Sequence, residues 1–421
     1  MAAPAVLDSA QVDQVDQVAH VSLLAGRLLM QNGADTGAVV AAVERVAVAF
    51  GCEAHLLVTY ELLLLAVSAG GRSLTRIGHR VPAMNVGLTV LGAVNRIVAD
   101  AESGRLGLSD VKAALEQAEH PAPPYNRWLV VVAVGLTAGS LSRLFGGDWP
   151  TFAVAWLAGA AGTWLRQALG SRGANPIAIP FAAACLSGII GGVAVRLGAS
   201  GTPALCLIAP GMIIMPGVPL INGVHDMIRN HMTLGLGRLG FAGLVTTAIA
   251  LGLFVATLVT GAAIPVEEPA RLIGVPEDAV FSAMAATGFA LLFSVPPRIA
   301  WACVVCGVAS HTLRTLCGHL GIDIVGGTLI GALVVGFLAV SFARHFAAPA
   351  VVFAFPGVVA MVPGAYAFRA FLGALQIVHG ATTPGLAMAT LVLCLQVVLM
   401  VGAIAIGVVA PAILFPPRHV R

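Results

Sequence analysis

The chain has 421 residues, 58% of them hydrophobic and only 10% charged, with a formal net charge of +3. Soluble domains carry roughly 25% charged residues, so a wholly water-soluble fold is excluded. The near-neutral balance, without a long basic tract, excludes nucleic acid as the main partner.

Twelve of the 19 acidic residues lie before Tyr125, which divides the chain into a water-exposed N-terminal region and a membrane region. The segment Met1–Ala19 is polar and Gln/Asp-rich, with neither the basic start nor the apolar stretch of a secretory signal. The N-terminal region is therefore expected in the cytoplasm. Residues 1–124 read as an α+β domain. An amphipathic helix covers Val15–Met30 and leads to Gln31-Asn32-Gly33. A second helix follows Asp35, with Thr36 also available as cap, and stops at Gly51. His55–Val67 and Leu74–Ile77, separated by Gly70-Gly71, read as a hairpin. Helices over Val86–Ala101 and Ser109–Glu119 follow, then the linker Pro121-Ala-Pro-Pro124. Glu53, His55 and Glu61 read as a solvated strand face.

Apolar runs near 128–145, 151–169, 176–197, 202–224 and 235–262 form a first set of five. A second set covers about 279–295, 298–317, 323–341, 350–373 and 384–413. Each is close to the ~20 residues that cross a hydrocarbon core. The predicted organisation is 1–124, a first membrane repeat 125–264, an acidic non-cytoplasmic linker 265–278 and a second repeat 279–421. A shift of 148 residues lays Arg166 on Arg314, Arg196 on Arg344, Gly159 on Gly307 and Gly188 on Gly336. Pro210-Gly211 and Pro216-Gly217 correspond to Pro356-Gly357 and Pro363-Gly364 at offsets of 146 and 147. Five crossings per copy invert the second copy in the membrane. The predicted fold class is thus an α-helical polytopic membrane protein, about ten transmembrane helices as 5+5 inverted repeats, with an N-terminal cytoplasmic α+β domain. With that domain inside, Arg127, Arg166, Arg172, Arg229, Arg238, Arg298, Arg344, Arg418 and Arg421 lie at cytoplasmic ends. Arg143, Arg196, Arg271, Arg314 and Arg369 lie opposite, in agreement with the positive-inside rule.

Proline inside an apolar run removes a helix donor and clashes one turn back. In lipid such a defect is tolerated where protein, water or a ligand satisfies the freed groups. Paired interruptions in two halves of a membrane protein point to a transport site. After Trp128 the acidic residues Asp148, Glu267, Glu268, Glu277 and Asp278 are assigned to loops. Asp226 and Asp323 lie at or beside membrane helices, where an ionisable group is costly. Asn222, Asp226 and Arg229 share a helical face at i, i+4, i+7. The alternatives are a site for a zwitterion or proton and an Asp226–Arg229 pair at the water interface. Tyr366 and Arg369 share a face beyond the second break, where Arg369 either counters a carboxylate or snorkels to the interface. Asp323 reads as an N-cap, His225 and His231 as interfacial, and Cys303-Val-Val-Cys306 as helix packing rather than redox or metal chemistry.

The segments Leu29-Met-Gln-Asn-Gly33-Ala-Asp35-Thr36 and Pro216-Gly217-Val-Pro219-Leu-Ile-Asn222-Gly223-Val-His-Asp226 resemble the bacterial threonine/serine exporter family. Phe355-Pro356-Gly357 through Val362-Pro363-Gly364-Ala-Tyr366 resembles its second half, which some members carry as a separate small protein. His225 stands where an apolar residue is expected. The resemblance implies a cytoplasmic domain before ten spans and export of small hydroxylated amino acids driven by the proton-motive force. The expected reading is a proton antiporter of threonine or serine in the bacterial inner membrane, with both termini cytoplasmic. Its substrate site comprises Gly211, Pro216, Gly217, Asn222, Pro356, Gly357, Pro363, Gly364, Tyr366 and Arg369, with Asp226 as the proton-coupling residue. No metal and no cofactor beyond the proton gradient is expected. The partners are the amino acid and the lipid bilayer, with room for a homo-oligomer. A channel of the same fold and a membrane-anchored hydrolase using the N-terminal domain stand as alternatives.

Overall fold

The computed structural model describes residues 9–70, 72–78, 81, 86–262, 271–346, 348–380 and 383–414. The expectations placed on Gly71, Glu267, Glu268, Arg418 and Arg421 fall outside them. The chain forms two compact units. One is chiefly the chain up to Pro123 together with Asp226–Gly237; the other is chiefly Pro124–His225, Arg238–Phe346 and the chain from Ala350 onward.

In the first unit, α1 (Ser9–Gln31) and α2 (Thr36–Ala49) precede three strands, β1 (Glu53–Val58), β2 (Leu63–Ala69) and β3 (Arg72–Ile77). Helices α3 (Leu88–Glu102) and α4 (Leu108–Glu119) follow. Asp35 caps α2 by accepting from the Ala38 amide at 3.1 Å, which satisfies one of the helix's orphan donors. The expected hairpin is a three-stranded antiparallel sheet of order β1-β2-β3. The run 55–67 is not continuous, because Thr59 turns the chain: its amide and hydroxyl both donate to the Leu62 carbonyl. Along β2, Leu63, Leu65 and Val67 are buried while the intervening residues are less so, the period of two that a half-buried strand requires. Val21 and Leu28 of α1 and Val39, Val43 and Val46 of α2 are buried with them, and a Cβ on Gly26 of α1 would meet both Val43 and Leu63. Glu53, His55 and Glu61 are exposed, as a solvated face demands.

The second unit is helical: α5 (Arg127–Leu144), α6 (Trp149–Gly170), α7 (Ala178–Arg196), α8 (Pro203–Met212), α9 (Gly217–Ile228), whose last turn belongs to the first unit, and α10 (Met232–Thr260), whose start as far as Gly237 also belongs to the first unit. Then come α11 (Val275–Leu292), α12 (Pro297–His319), α13 (Ile324–Phe346), α14 (Val351–Val358) with a 3-10 turn Val359–Met361, α15 (Gly364–Val378) and α16 (Pro384–Leu414). Among the described residues, seven helices are long and apolar enough to cross a membrane, or nine if each bent pair is one crossing. The protein is a polytopic α-helical membrane protein. The expected crossing 151–169 is helical as α6 but is not among those nine; three tryptophans, Arg166 and Gln167 dilute its apolarity.

Helices α5, α6 and α8 begin 148 residues before α11, α12 and α14 (127/275, 149/297 and 203/351). Contacts repeat with the same interval. A Cβ added at Gly159 would lie 2.6 Å from Ala138 Cβ, and one added at Gly307 would lie 2.4 Å from Ala286 Cβ. Both glycine–alanine pairs are separated by 148 residues, member for member. Without lipid-phase hydrophobic drive between helices, such small-residue seams let backbones approach.

Candidate functional site

Both helix breaks are built alike. Helices α8 and α9 meet at 63°, and the α14 segment meets α15 at 45°. Pro216 and Pro363 have no amide to donate. Around each, the following glycine closes a tight three-residue turn: Gly217 N–H donates to Met215 O at 2.8 Å and Gly364 N–H to Val362 O at 2.7 Å. Pro363 has φ −76°, ψ 50°, near the inverse γ-turn minimum. The breaks also touch one another. A Cβ on Gly217 would come within 3.2 Å of Val359 and Val362, and one on Gly364 within 3.3 Å of Met212. Only glycine fits at this crossing without displacing a neighbour.

Of the expected site residues, Tyr366 and Arg369 line a cavity of about 200 Å³. The other polar groups in its wall are Thr202, at the N-terminus of α8, and Arg271. Phe145, which packs edge-on to Tyr366 at 6.3 Å, and Leu205 and Ile208 supply the apolar wall. Among the described residues the lining contains two guanidiniums and no carboxylate, and the α8 N-terminus adds partial positive charge. This combination suits an anion of the size of a small carboxylate. Gly211, Pro216, Gly217, Pro356, Gly357, Pro363, Gly364 and Asn222 do not line this cavity. Gly357 instead lies under Cys306, and its carbonyl accepts from Ser310 Oγ at 2.7 Å.

Sequence reasoning missed a second cluster. Asp278, assigned to a loop, lies in the first turn of α11 and is fully buried. Pro276 ends the acidic segment as a helix-starting residue, because proline's missing donor costs nothing in the first turn. The Asp278 carboxylate accepts from Ser282 Oγ at 3.0 Å, Thr312 Oγ1 at 3.1 Å, Thr315 Oγ1 at 2.6 Å and His311 Nδ1 at 2.7 Å. The other nitrogen of His311, Nε2, is hydrogen-bonded to Arg314 Nη2. Arg314 Nη1 is buried without a hydrogen-bond partner among the described residues, and Arg314 lies within electrostatic reach of Tyr366. The available signal was spacing: Asp278/Ser282 at i, i+4 and His311/Arg314/Thr315 at i, i+3, i+4 each mark one polar stripe on an apolar helix.

Asp226 belongs to the first unit, where its Oδ1 accepts the Thr36 amide at 3.0 Å and the side chain is fully buried. Arg229 Nη1 stands 3.9 Å from Asp35 Oδ1. Asp226, in the last turn of α9, and Arg229, just after it, are thus engaged by the first turn of α2 and by its cap. Asp323 caps α13, accepting from the Val325 and Gly326 amides. Cys303 and Cys306 are buried, with Cys303 Sγ 3.2 Å from Val352 O.

The family described as "Putative threonine/serine exporter" matches residues 20–260, and a second threonine/serine exporter family, ThrE, matches residues 278–414. A probable succinate transporter subunit of Escherichia coli is 29% identical over 259 residues, covering 60% of this chain and 98% of that protein. Its Klebsiella aerogenes namesake is 29% identical over 255 residues, with the same coverage. A probable threonine/serine exporter of Mycobacterium tuberculosis is 27% identical over 373 residues, covering 84% of this chain and 69% of that protein. No solved structure matches the chain.

Proposed function

The chain belongs to the threonine/serine exporter family, and from that premise we propose that it is a proton-coupled exporter of threonine or serine. Membership makes it a multi-pass membrane transporter. The finer reading adds an inner-membrane location with both termini cytoplasmic. It also makes the helices from α5 to α10 and from α11 to α16 two inverted repeats of five crossings, which rock on one another for alternating access. The single observation that carries this reading is the mutual packing of the two breaks, Gly217 on Val359 and Val362 and Gly364 on Met212. Two irregular helices crossing at their weakest points form a joint around which the repeats can move. On one side of it, Tyr366, Arg369 and Arg271 hold the substrate carboxylate, and the remaining break residues Gly211, Pro216, Pro356, Gly357 and Pro363 keep the joint irregular. Asn222 and Asp226 extend the first break toward the cytoplasm, with Asp226 as a coupling carboxylate.

Transport of a dicarboxylate is a second reading, favoured by one observation. Among the described residues two arginines and no acidic residue line the cavity, a set that offers no counter-charge to an amino acid's ammonium, whereas two carboxylates would match both guanidiniums. The succinate transporter subunits among the relatives point the same way. Purified protein in liposomes, assayed with labelled threonine, serine and succinate with and without a pH gradient, decides between them. Threonine or serine flux that succinate does not displace supports the first reading; succinate flux alone replaces it with the second. Asp226→Asn keeps the amide-accepting oxygen and removes the charge. The expected result is gradient-driven efflux reduced by about tenfold, and undiminished efflux removes Asp226 from the coupling step.

A further inference from the structure

We propose that Asp278, His311 and Arg314 form a proton-binding site within the membrane region, in which a proton arriving at His311 Nε2 releases Arg314. The proposal rests on the transport reading above and gives the proton a second place on its path, in addition to Asp226.

The geometry sets the starting protonation state. Arginine carries only N–H donors and stays charged. The hydrogen bond between Arg314 Nη2 and His311 Nε2 therefore has the guanidinium donating and Nε2 accepting. The imidazole proton is consequently on Nδ1, from which it donates to Asp278 Oδ2 at 2.7 Å. The carboxylate takes three further donors, from Ser282, Thr312 and Thr315, and four donors leave it ionised and accepting only. The resting cluster is one anion, one neutral ring and one cation, all buried. Such ionisable groups inside membrane helices are costly, and their presence marks proton relays or substrate paths more often than packing.

Protonation has one place to go. A proton from the aqueous side forms an N–H bond at Nε2, the Arg314 Nη2–H···Nε2 hydrogen bond breaks, and the Nδ1–H···Oδ2 bond to Asp278 remains. The cluster then holds one anion and two adjacent cations, which repel in a medium of low dielectric. Arg314 already has an open donor in Nη1, and Tyr366 on α15 lies within its electrostatic reach. Tyr366 also lines the cavity between α8 and α15. Displaced from the imidazole, Arg314 can move toward Tyr366, so that the proton and the carboxylate ligand compete for one guanidinium's position. Asp278 acts as a positioning residue, holding the tautomer. Among the described residues, the charged or titratable groups on the neighbouring elements are few. Helix α5 contributes Arg143, which is paired with Glu277, and α15 contributes Tyr366 and Arg369. Helix α13, whose Gly327 packs against Arg314, brings its cap Asp323 and, in its last turn, Arg344 and His345. Helix α14 and the turn Val359–Met361 carry none.

The test uses full-length protein in liposomes and the ratio of threonine flux with and without a pH gradient. In His311→Gln the side chain can still accept from Arg314 and donate to Asp278 but binds no proton. Gradient-free threonine exchange is expected to persist within about twofold, while the coupling ratio, ordinarily about 5–150-fold, falls to about one. An unchanged ratio overturns the proposal. If His311→Gln does not elute as a monodisperse species, His311→Asn, which also binds no proton, is measured in its place, with the same outcomes. A protein that moves neither threonine, serine nor succinate refutes the transport reading and leaves this one testable by histidine nitrogen NMR of the wild type. One solvent-shielded Nδ1–H tautomer should take up a second proton on acidification of the folded protein, and a ring that keeps a single proton until the protein unfolds overturns the site.

Discussion

Arg166 and Arg314 occupy matching places near the ends of α6 and α12, 148 residues apart, yet their surroundings differ. Arg314 sits beside His311, which is held in turn by Asp278. At the equivalent positions around Arg166 the chain has Thr163 and Val130. Each arginine keeps a buried Nη1 without a partner among the described residues. The Gly159–Ala138 and Gly307–Ala286 seams and the Pro-Gly breaks are common to both regions. The difference teaches that the scaffold and the ionisable chemistry are separable: close helix packing needs small residues at both places, whereas one buried acid–imidazole pair serves the molecule once.

The sharpest way to break that comparison is to remove the two arginines in turn. Arg314→Leu strips a buried carboxylate and its histidine of their counter-charge, and breaking a buried ion network from one side costs about 3–5 kcal/mol. Arg166→Leu removes a guanidinium that has no acidic neighbour among the described residues, with an expected change within about 1 kcal/mol. Thermal unfolding in detergent, followed by tryptophan fluorescence, measures both. Equal losses would mean that the two regions are electrostatically alike after all.

A second contrast lies just beyond the breaks. Counted from Gly217 and Gly364, Asn222 stands where Arg369 stands in the second region. Arg369 lines the cavity and Asn222 does not. Arg369→Asn, which copies the first region's residue into the second, is expected to raise KM for transport about tenfold or more. That is the loss that follows when a charge-assisted hydrogen bond of ~1.5–3 kcal/mol is removed. Asn222→Ala should shift KM less. A larger effect at Asn222 would place the carboxylate on the first break instead.

The parts legible in the sequence were those with a local cause. Proline and glycine announced both breaks, the 148-residue interval announced the matching helices, and Asp35 and Asp323 announced their own caps. Tyr366 and Arg369 were legible because a broken helix carrying polar residues has few other uses in lipid. What escaped was carried by long-range contact. Asp278 is 33 residues from His311, and an acid after Pro276-Glu277 reads equally well as the end of a polar loop or the first turn of a helix. Asp226 was recognised as costly, but its partner, the Thr36 amide, lies 190 residues away. A backbone donor has no side chain to betray it. The sheet was misread for a smaller reason: the turn at Thr59–Leu62 contains neither glycine nor proline, so nothing in the run signalled a reversal.

The smallest contrast concerns how α6 and α12 begin. Asp148 caps α6, accepting from the Thr151 amide at 2.8 Å, the Gly201 amide at 2.7 Å and Ser200 Oγ at 3.2 Å. Its counterpart at α12, Pro296, offers no side-chain cap. Burial pushes the Asp148 carboxyl upward, but the bonds from Thr151, Gly201 and Ser200 outweigh it and hold the group below the usual carboxylate range. A carboxyl depressed in the folded state contributes stability above its unfolded pKa of about 3.9, and that contribution is lost as pH falls through the lower folded value. Hydrogen exchange at the start of α6 should therefore quicken on acidification below about pH 4, while the start of α12 does not respond. Asp148→Ala should cost about 1 kcal/mol and abolish the acid response. If α12 quickened equally in acid, the effect would belong to the membrane region as a whole and not to this cap.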